Sequence, residues 1–126
     1  MTLVALVTLL LLLQYIAFMM LTGKARAASD LVAPACVGDV EFEKAYRVQM
    51  NTLEQLIVTL PAMWICAQFF MPMVAAALGL AFLIGRVLYR NAYVGDPTKR
   101  GPGMILGFLA NIGLILTAGW GVLFQL

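Results

Sequence analysis

Four polar side chains recur at helical spacing where a long apolar stretch begins. They are Glu43, Arg47, Asn51 and Glu54, which are four, four and three residues apart. In an α-helix this spacing places them on one face. Two carboxylates, a guanidinium and an amide on one face can bind a ligand with both carboxylate and ammonium groups, because the planar guanidinium matches carboxylate geometry.

A second polar set lies in the segment GRVLYRNAY. It comprises Arg86, Tyr89, Arg90 and Tyr93. The two arginines are four residues apart, as are the two tyrosines, so the tyrosines share a helical face. A belt of Tyr and Arg at a membrane edge would explain this set taken alone. With the first set, and with Lys99 and Arg100 following it, it outlines a pocket of cation, carboxylate, amide and phenol groups.

The composition of the chain indicates a lipid environment. Hydrophobic residues make up 63% of its 126 residues and charged residues 11%, against roughly 25% charged in ordinary soluble domains. A soluble chain this small could not bury that much apolar surface, because the buried fraction falls with size. The net charge of +2 is too small to predict nucleic-acid binding. With no histidine and no carboxylate cluster, we expect no metal site.

The hydropathy pattern predicts an all-α integral membrane protein, a single domain of four transmembrane helices covering residues 1–126. The predicted helices are residues 3–27, 42–70, 73–93 and 103–125. Residues 3–22 carry no charge and, at ~1.5 Å per residue, cover the ~30 Å hydrocarbon layer. No positive segment precedes them, so we interpret them as a retained helix rather than a signal peptide.

The distribution of charge predicts the orientation of the bundle. All eight basic residues lie near the first or third connection between helices: Lys24, Arg26, Lys44, Arg47, Arg86, Arg90, Lys99 and Arg100. A series of helical hairpins places those two connections on one side of the membrane. The positive-inside rule makes that side cytoplasmic, with both termini outside. In a bacterium the membrane would be the inner membrane.

Depth in the membrane separates two interpretations of the stripe in the second helix. A solvated helix end with a Glu43–Arg47 pair would account for its first half. Asn51 and Glu54 fall at or just inside the membrane boundary, where ionisable groups usually face a bundle interior or a wet cavity and serve a function. We therefore expect a binding site near the cytoplasmic face.

Two segments, FEKAYRVQMNTLE and LGLAFLIGRVLYRNAYVGDPTKR, carry the patterns E-x3-R-x3-N-x2-E and R-x2-Y-x3-Y-x6-R. Their combination resembles the MAPEG family, the membrane-associated proteins in eicosanoid and glutathione metabolism. The resemblance implies a homotrimer of four-helix subunits, with glutathione bound between neighbours near the cytoplasmic face. It implies that Arg100 activates the glutathione thiol. The glutathione-binding residues it implies are Arg47, Gln49, Asn51, Glu54, Tyr89 and Tyr93, with Arg26 as a looser match.

The chemistry of a thiol substrate agrees with this resemblance. Glutathione carries two carboxylates, an ammonium and a thiol, and Glu54 suits the ammonium. A free thiol has a pKa near ~8.5, and its thiolate is the nucleophile. A guanidinium that lowered that pKa by ~2 would supply about 2.7 kcal/mol, so no histidine base is needed. Gly101 follows Arg100 where the prostaglandin-synthase branch can carry a hydroxyl donor, which argues against isomerase chemistry.

The resemblance and the residues together predict a membrane glutathione transferase that acts on a lipophilic electrophile, with peroxidase activity toward lipid hydroperoxides left open. One alternative is a non-catalytic lipid-binding scaffold of the same family. Such a relative would be expected to lack the thiol-activating arginine and the tyrosine pair, whereas Arg100, Tyr89 and Tyr93 are all present. Another is a small four-span drug exporter, which would need a carboxylate deep in the first helix, and residues 3–22 contain none.

Gly103 and Gly107 form a G-x3-G pattern in the fourth helix. Such pairs of small residues let helix backbones approach closely in membranes. The pattern is open to two interpretations, a contact between subunits of a trimer or close packing inside one subunit, and the second is favoured.

Overall fold

The computed structural model describes residues 1–126 and consists of four long helices and one short 3₁₀ helix. α1 comprises Thr2–Ala27, α2 Val40–Phe69, α3 Pro72–Gly95 and α4 Gly101–Leu123, and the 3₁₀ helix is Pro97–Lys99. Each long helix begins and ends within two residues of the bounds expected from the sequence. α2 is continuous through Pro61.

Local signals determine where the helices begin. The Asp39 carboxylate caps α2 by accepting a hydrogen bond from the Phe42 N–H at 2.9 Å. Pro72 stands in the first turn of α3, where a missing N–H costs no intrahelical bond. Asp96 follows α3 and caps the 3₁₀ helix by accepting from the Thr98 N–H at 3.1 Å. These caps fix the two connections that carry most of the charges.

Contacts between helix ends show that the helices run alternately up and down. Thr22, near the end of α1, donates a hydrogen bond to the Ala45 carbonyl near the start of α2 at 3.1 Å. Lys44, also near the start of α2, donates to the Val94 carbonyl at the end of α3 at 3.2 Å. Both charged connections therefore lie at the same end of the bundle.

Glycines let α3 and α4 pack backbone against backbone. A Cβ added at Gly85 of α3 would lie 2.9 Å from the backbone nitrogen of Gly107 of α4. A Cβ added at Gly103 would overlap the backbone of Tyr89. The glycine pair of α4 thus packs within one subunit, which is the interpretation that the sequence favoured.

Both the core and the outer surface of the bundle are apolar. Each helix contributes a fully buried side chain, respectively Leu11, Met63, Phe82 and Leu114. Large apolar side chains also point outward, for example Leu13, Ile84 and Leu116. This outer surface suits hydrocarbon rather than water, because contiguous exposed apolar area of that kind is rare in soluble monomers.

Three of the helices, α1, α3 and α4, are long and apolar enough to span a membrane by themselves. α2 is not one of them because its first half carries the polar stripe. Its remaining part after Glu54, residues 55–69, is shorter than the ~20 residues of a typical span. α2 packs against all three other helices. The protein is therefore an all-α integral membrane protein in which the most polar helix lies within a four-helix bundle.

Candidate functional site

The polar stripe of α2 contains an ion pair that spans two helical turns. Arg47 Nη1 lies 3.1 Å from Glu54 Oε1, and both side chains are about half exposed. Asn51 lies between them and is partly buried. The expected Glu43–Arg47 pair does not form, because Glu43 instead accepts a hydrogen bond from the Gly38 N–H at 3.2 Å. Arg47 and Glu54 thus hold opposite charges together on an accessible face.

The two tyrosines of α3 stack on one another. Their ring centroids are 5.5 Å apart with an interplanar angle of 20°. Tyr89 is buried, with 4% of its surface exposed, whereas Tyr93 is partly exposed. The Arg86 guanidinium lies 4.2 Å from the centre of the Tyr89 ring, a distance at which a cation attracts an aromatic face.

The stripes of α2 and α3 meet at one surface. Arg47 and Tyr93 line a cleft of about 370 Å³ together with Cys36, Val37, Glu43 and Tyr46. We call this the Arg47 cleft. Glu54 pairs with Arg47 and Tyr89 stacks on Tyr93, so both lie beside the residues that line the cleft. The fold therefore brings residues of α2 and α3 to one cleft, and Arg100 is not among the residues that line it.

A second cavity lies between α2, α3 and α4. It has a volume of about 380 Å³ and is lined by Asn51, Gln55, Arg86, Met104, Ile105, Gly107 and Phe108. We call this the Arg86 cavity. Asn51 is one helical turn from Arg47, so the Arg86 cavity lies about one turn deeper in the bundle than the Arg47 cleft. Asn51 belongs to the deeper of the two spaces.

Arg100 is exposed and immediately precedes α4. Its guanidinium donates a hydrogen bond to the Pro97 carbonyl at 2.7 Å. The loop before it is held by Asp96, whose carboxylate accepts from the Thr98 hydroxyl at 2.7 Å and from the Thr98 N–H. These two hydrogen bonds lower the pKa of the Asp96 carboxyl. Asp96 therefore stays ionised at neutral pH, while Arg100 keeps no carboxylate partner.

Gln49 faces away from Arg47, and Arg26 lies at the end of α1. Gln49 is two residues from Arg47, a rotation of about 200° around the helix axis, and donates to the Tyr15 hydroxyl of α1 at 3.5 Å. Arg26 stacks at 4.3 Å from the Phe42 ring centre and donates to the Ala35 carbonyl at 2.8 Å. One subunit therefore does not bring Gln49 together with Arg47, while Arg26 contacts the start of α2 and the loop before it.

Two groups of polar residues were not predicted as part of the site. Arg86 belongs to the polar set of the third helix, but the sequence predicts no glutathione-binding or catalytic role for it. Its side chain is buried, with 2% of the residue surface exposed. The Asn111 amide donates to Gln55 Oε1 at 3.0 Å, and Thr59 donates to Asn111 Oδ1 at 2.6 Å. The signal that could have revealed both groups is the same: a charged or amide side chain inside an otherwise apolar segment.

Comparison with known proteins identifies a family and several relatives of this chain. The model of the MAPEG family matches residues 4–120. An uncharacterised protein of Synechocystis sp. is 40% identical over 122 residues, which cover 97% of this chain and 89% of the relative. Microsomal glutathione S-transferase 2 of Homo sapiens is 33% identical over 98 residues, 78% of this chain and 64% of the relative. Leukotriene C4 synthase of Bos taurus is 35% identical over 98 residues, 78% of this chain and 65% of the relative.

Proposed function

This chain belongs to the MAPEG family, and we propose that it is a membrane-bound glutathione transferase that joins glutathione to a lipophilic electrophile. Relatives named as a glutathione S-transferase and a leukotriene C4 synthase support a glutathione-using membrane enzyme. The observation that carries the proposal is the convergence of Arg47 and Tyr93 on one cleft, with Glu54 paired to Arg47 and Tyr89 stacked on Tyr93.

The residues around the Arg47 cleft fit the groups of glutathione. Arg47 offers a planar fork to a carboxylate, and Glu54 offers an acceptor to the ammonium. In the free chain these two side chains pair with each other at 3.1 Å. An exposed pair of this kind is worth ~0–1 kcal/mol, so a ligand with both charges can replace it at little cost. Tyr89 and Tyr93 then supply hydroxyl hydrogen bonds from α3.

Arg100 is the residue that stabilises the thiolate of glutathione. Its guanidinium is exposed and bonds the Pro97 carbonyl within its own short loop, so no contact with a helix holds it away from a ligand. A cation beside the sulfur lowers the thiol pKa and needs no separate base. The sulfur then attacks the electrophilic carbon of the acceptor, and the C–S bond forms as a leaving group departs or as an epoxide C–O or polarised C=C bond gives up its electron pair. The reduction of a lipid hydroperoxide would use the same thiolate to break the O–O bond, and a second glutathione would complete the reaction to the alcohol, water and glutathione disulfide.

The site is shared between the subunits of a homotrimer. Gln49 faces α1, on the other side of α2 from Arg47. If both bind one glutathione molecule, Gln49 must come from a neighbouring subunit. The half-exposed Arg47–Glu54 pair supports the same assembly, because charges on a membrane helix face protein or a wet cavity rather than lipid.

The enzyme is a multi-pass membrane protein with its glutathione site on the cytoplasmic side. Both termini lie outside, at the end of the bundle away from the basic connections. In a bacterium this would be the inner membrane. The apolar surface of the helices gives the lipophilic acceptor access from the bilayer.

Titration of the detergent-solubilised protein with glutathione, followed by turnover of a small chloronitrobenzene, tests the proposed function. We expect saturable glutathione binding, formation of the thioether, and thiolate absorbance in the ultraviolet at neutral pH. S-methylglutathione is the matched control, since it should bind and form no product. Absence of glutathione binding would refute the proposal. Binding without turnover would favour the non-catalytic lipid-binding scaffold.

A further inference from the structure

Arg86 is a buried cation without a carboxylate partner. It lies in α3, and 2% of its surface is exposed. Its Nη2 donates to the Thr52 hydroxyl at 2.9 Å, and its guanidinium lies 4.2 Å from the Tyr89 ring centre and 6.0 Å from that of Phe82. Its Nε has no hydrogen-bond partner. The charge is therefore only partly compensated, by one hydroxyl and two aromatic faces.

Three helices meet around this side chain. Thr52 belongs to α2 and directly follows Asn51, while Tyr89 lies one turn along α3 from Arg86. The preceding residue, Gly85, packs against the backbone of Gly107 in α4. The guanidinium thus connects the α2 stripe to the stacked tyrosines at the point where α3 and α4 are in backbone contact.

The energetics of this arrangement argue against a purely structural role. A buried charge without a counter-charge costs free energy, and an apolar side chain of similar volume is often neutral or more favourable in its place. The Thr52 hydroxyl does not depend on Arg86, because it also donates to the Val48 carbonyl at 2.7 Å. What only a guanidinium can supply here is a simultaneous hydrogen bond to α2 and planar stacking on Tyr89.

We propose that Arg86 is a positioning residue for glutathione, which holds the Tyr89 ring and the Asn51–Thr52 segment of α2 in the arrangement that the ligand requires. This inference rests on the proposed function. Arg86 lines the deeper cavity and not the Arg47 cleft, so it acts on a ligand in that cleft through its neighbours. Loss of its guanidinium should weaken glutathione binding and leave the Arg100 thiolate chemistry intact.

Arg86→Met and Arg86→Lys test this role, with Arg90→Met as the matched control on the same helix. Arg90 is only partly buried and contacts Asn91 Oδ1 at 3.5 Å. For Arg86→Met we expect a rise of at least tenfold in the Kd and KM for glutathione. We also expect kcat at saturating glutathione within threefold of wild type, and no decrease in Tm. Arg86→Lys should bind better than Arg86→Met, because the charge remains, and Arg90→Met should match wild type.

Thr52→Val removes the hydroxyl that accepts a hydrogen bond from Arg86, and it leaves every charged side chain in place. It should raise the glutathione Kd severalfold in the wild-type background and have no further effect in Arg86→Met. Wild-type binding in Arg86→Met would overturn the inference while leaving the proposed function standing. A decrease in Tm with parallel losses in affinity and kcat would overturn it in favour of a structural role. Failure of the wild-type protein to bind glutathione would refute the proposed function, and this inference with it.

Discussion

Charges of the site pair differently from what sequence spacing alone suggests. An i, i+4 pair between Glu43 and Arg47 is the local expectation, yet Arg47 reaches Glu54 instead and Glu43 binds the Gly38 N–H. The preceding loop makes this exchange possible, because it folds back over the first turn of α2 and presents a backbone donor. Arg47 is thereby left facing the cleft with a partner that a zwitterionic ligand can replace.

Substitutions of Arg100 and of its neighbour Lys99 test whether one charged side chain activates the glutathione thiol. Arg100→Leu should lower turnover by ~10²-fold, as expected for the loss of one transition-state charge stabiliser. It should also suppress the ultraviolet signal of the glutathione thiolate at neutral pH. Glutathione affinity, measured by calorimetry, should stay within a few-fold of wild type.

Lys99→Leu is the matched control for this prediction, because it removes the same charge from the adjacent exposed position. It should leave both turnover and the thiolate signal unchanged. Full turnover of Arg100→Leu at neutral pH would show that the thiol is activated elsewhere. Equal losses in the two variants would indicate a general attraction of anions by the loop.

Among the helices, α3 and α4 have a contact with little tolerance for added volume. Gly103 packs on the backbone of Tyr89, a residue of the proposed site, and Gly85 packs on Gly107. Backbone cannot move aside as a long side chain can, so this contact fixes the position of the tyrosines relative to α4. The pattern that might have marked a subunit interface thus supports the site from within the subunit.

Gly103→Ala and Gly119→Ala test the α3–α4 contact, since both positions lie in α4. A methyl group at Gly103 should lower stability by ~1–3 kcal/mol through overpacking. It should also weaken glutathione binding by displacing Tyr89. Gly119 has no neighbouring atom within 4 Å of an added Cβ, so alanine there should raise stability by roughly 0.5–1 kcal/mol through helix propensity.

Thermal unfolding in detergent measures both variants. A Tm for Gly103→Ala equal to that of wild type would mean that α4 can shift away from α3 at no cost. In that case the position of Tyr89 does not depend on this contact.

For the whole molecule, the opposite placement of Arg47 and Gln49 on either side of α2 predicts complementation between subunits. Arg47→Ala alone should weaken glutathione binding at least tenfold, since loss of one member of a ligand-bound charge pair costs ~2–5 kcal/mol. Gln49→Ala alone should also weaken it. In trimers co-assembled from the two variants, about one site in four should be intact, because each site takes one residue from each neighbour.

Co-assembly of Arg47→Ala with Glu54→Ala is the control for complementation. Both residues come from the same subunit and pair with each other, so no intact site should form. Calorimetric site counting separates the outcomes. Recovery in the control, or none in the Gln49 and Arg47 mixture, would contradict a site shared between neighbours in the proposed manner.

Orientation in the membrane is a second property of the whole molecule that can be measured. Thr98→Cys and Leu126→Cys, each in a chain whose Cys36 and Cys66 are replaced, report on the two ends of the bundle. An impermeant thiol reagent should label Leu126→Cys in intact cells and Thr98→Cys only after permeabilisation, because we propose that the basic connections face the cytoplasm. Labelling of Thr98→Cys in intact cells would reverse the orientation.

Periodicity and hydropathy in the sequence were enough to predict four helices, a lipid environment and two polar stripes. These are local properties, since 3.6 residues per turn decides which side chains share a face whatever the helix packs against. The residues from Glu43 to Glu54 show the limit of this local information. Their position on one helix face was predictable from their spacing, but the ion pair that forms among them was not.

Only the tertiary structure decided which of those faces meet. It directed Gln49 toward α1 and Arg47 toward the cleft, buried Arg86 between α2 and α3, and turned the glycines of α4 against Tyr89. Each outcome depends on the rotation and depth at which two helices pack, which is set by contacts between residues far apart in the chain. The spacing of residues within a single helix does not determine that rotation. The sequence therefore predicted the candidate site residues, and the packing of the helices determined which of them lie together.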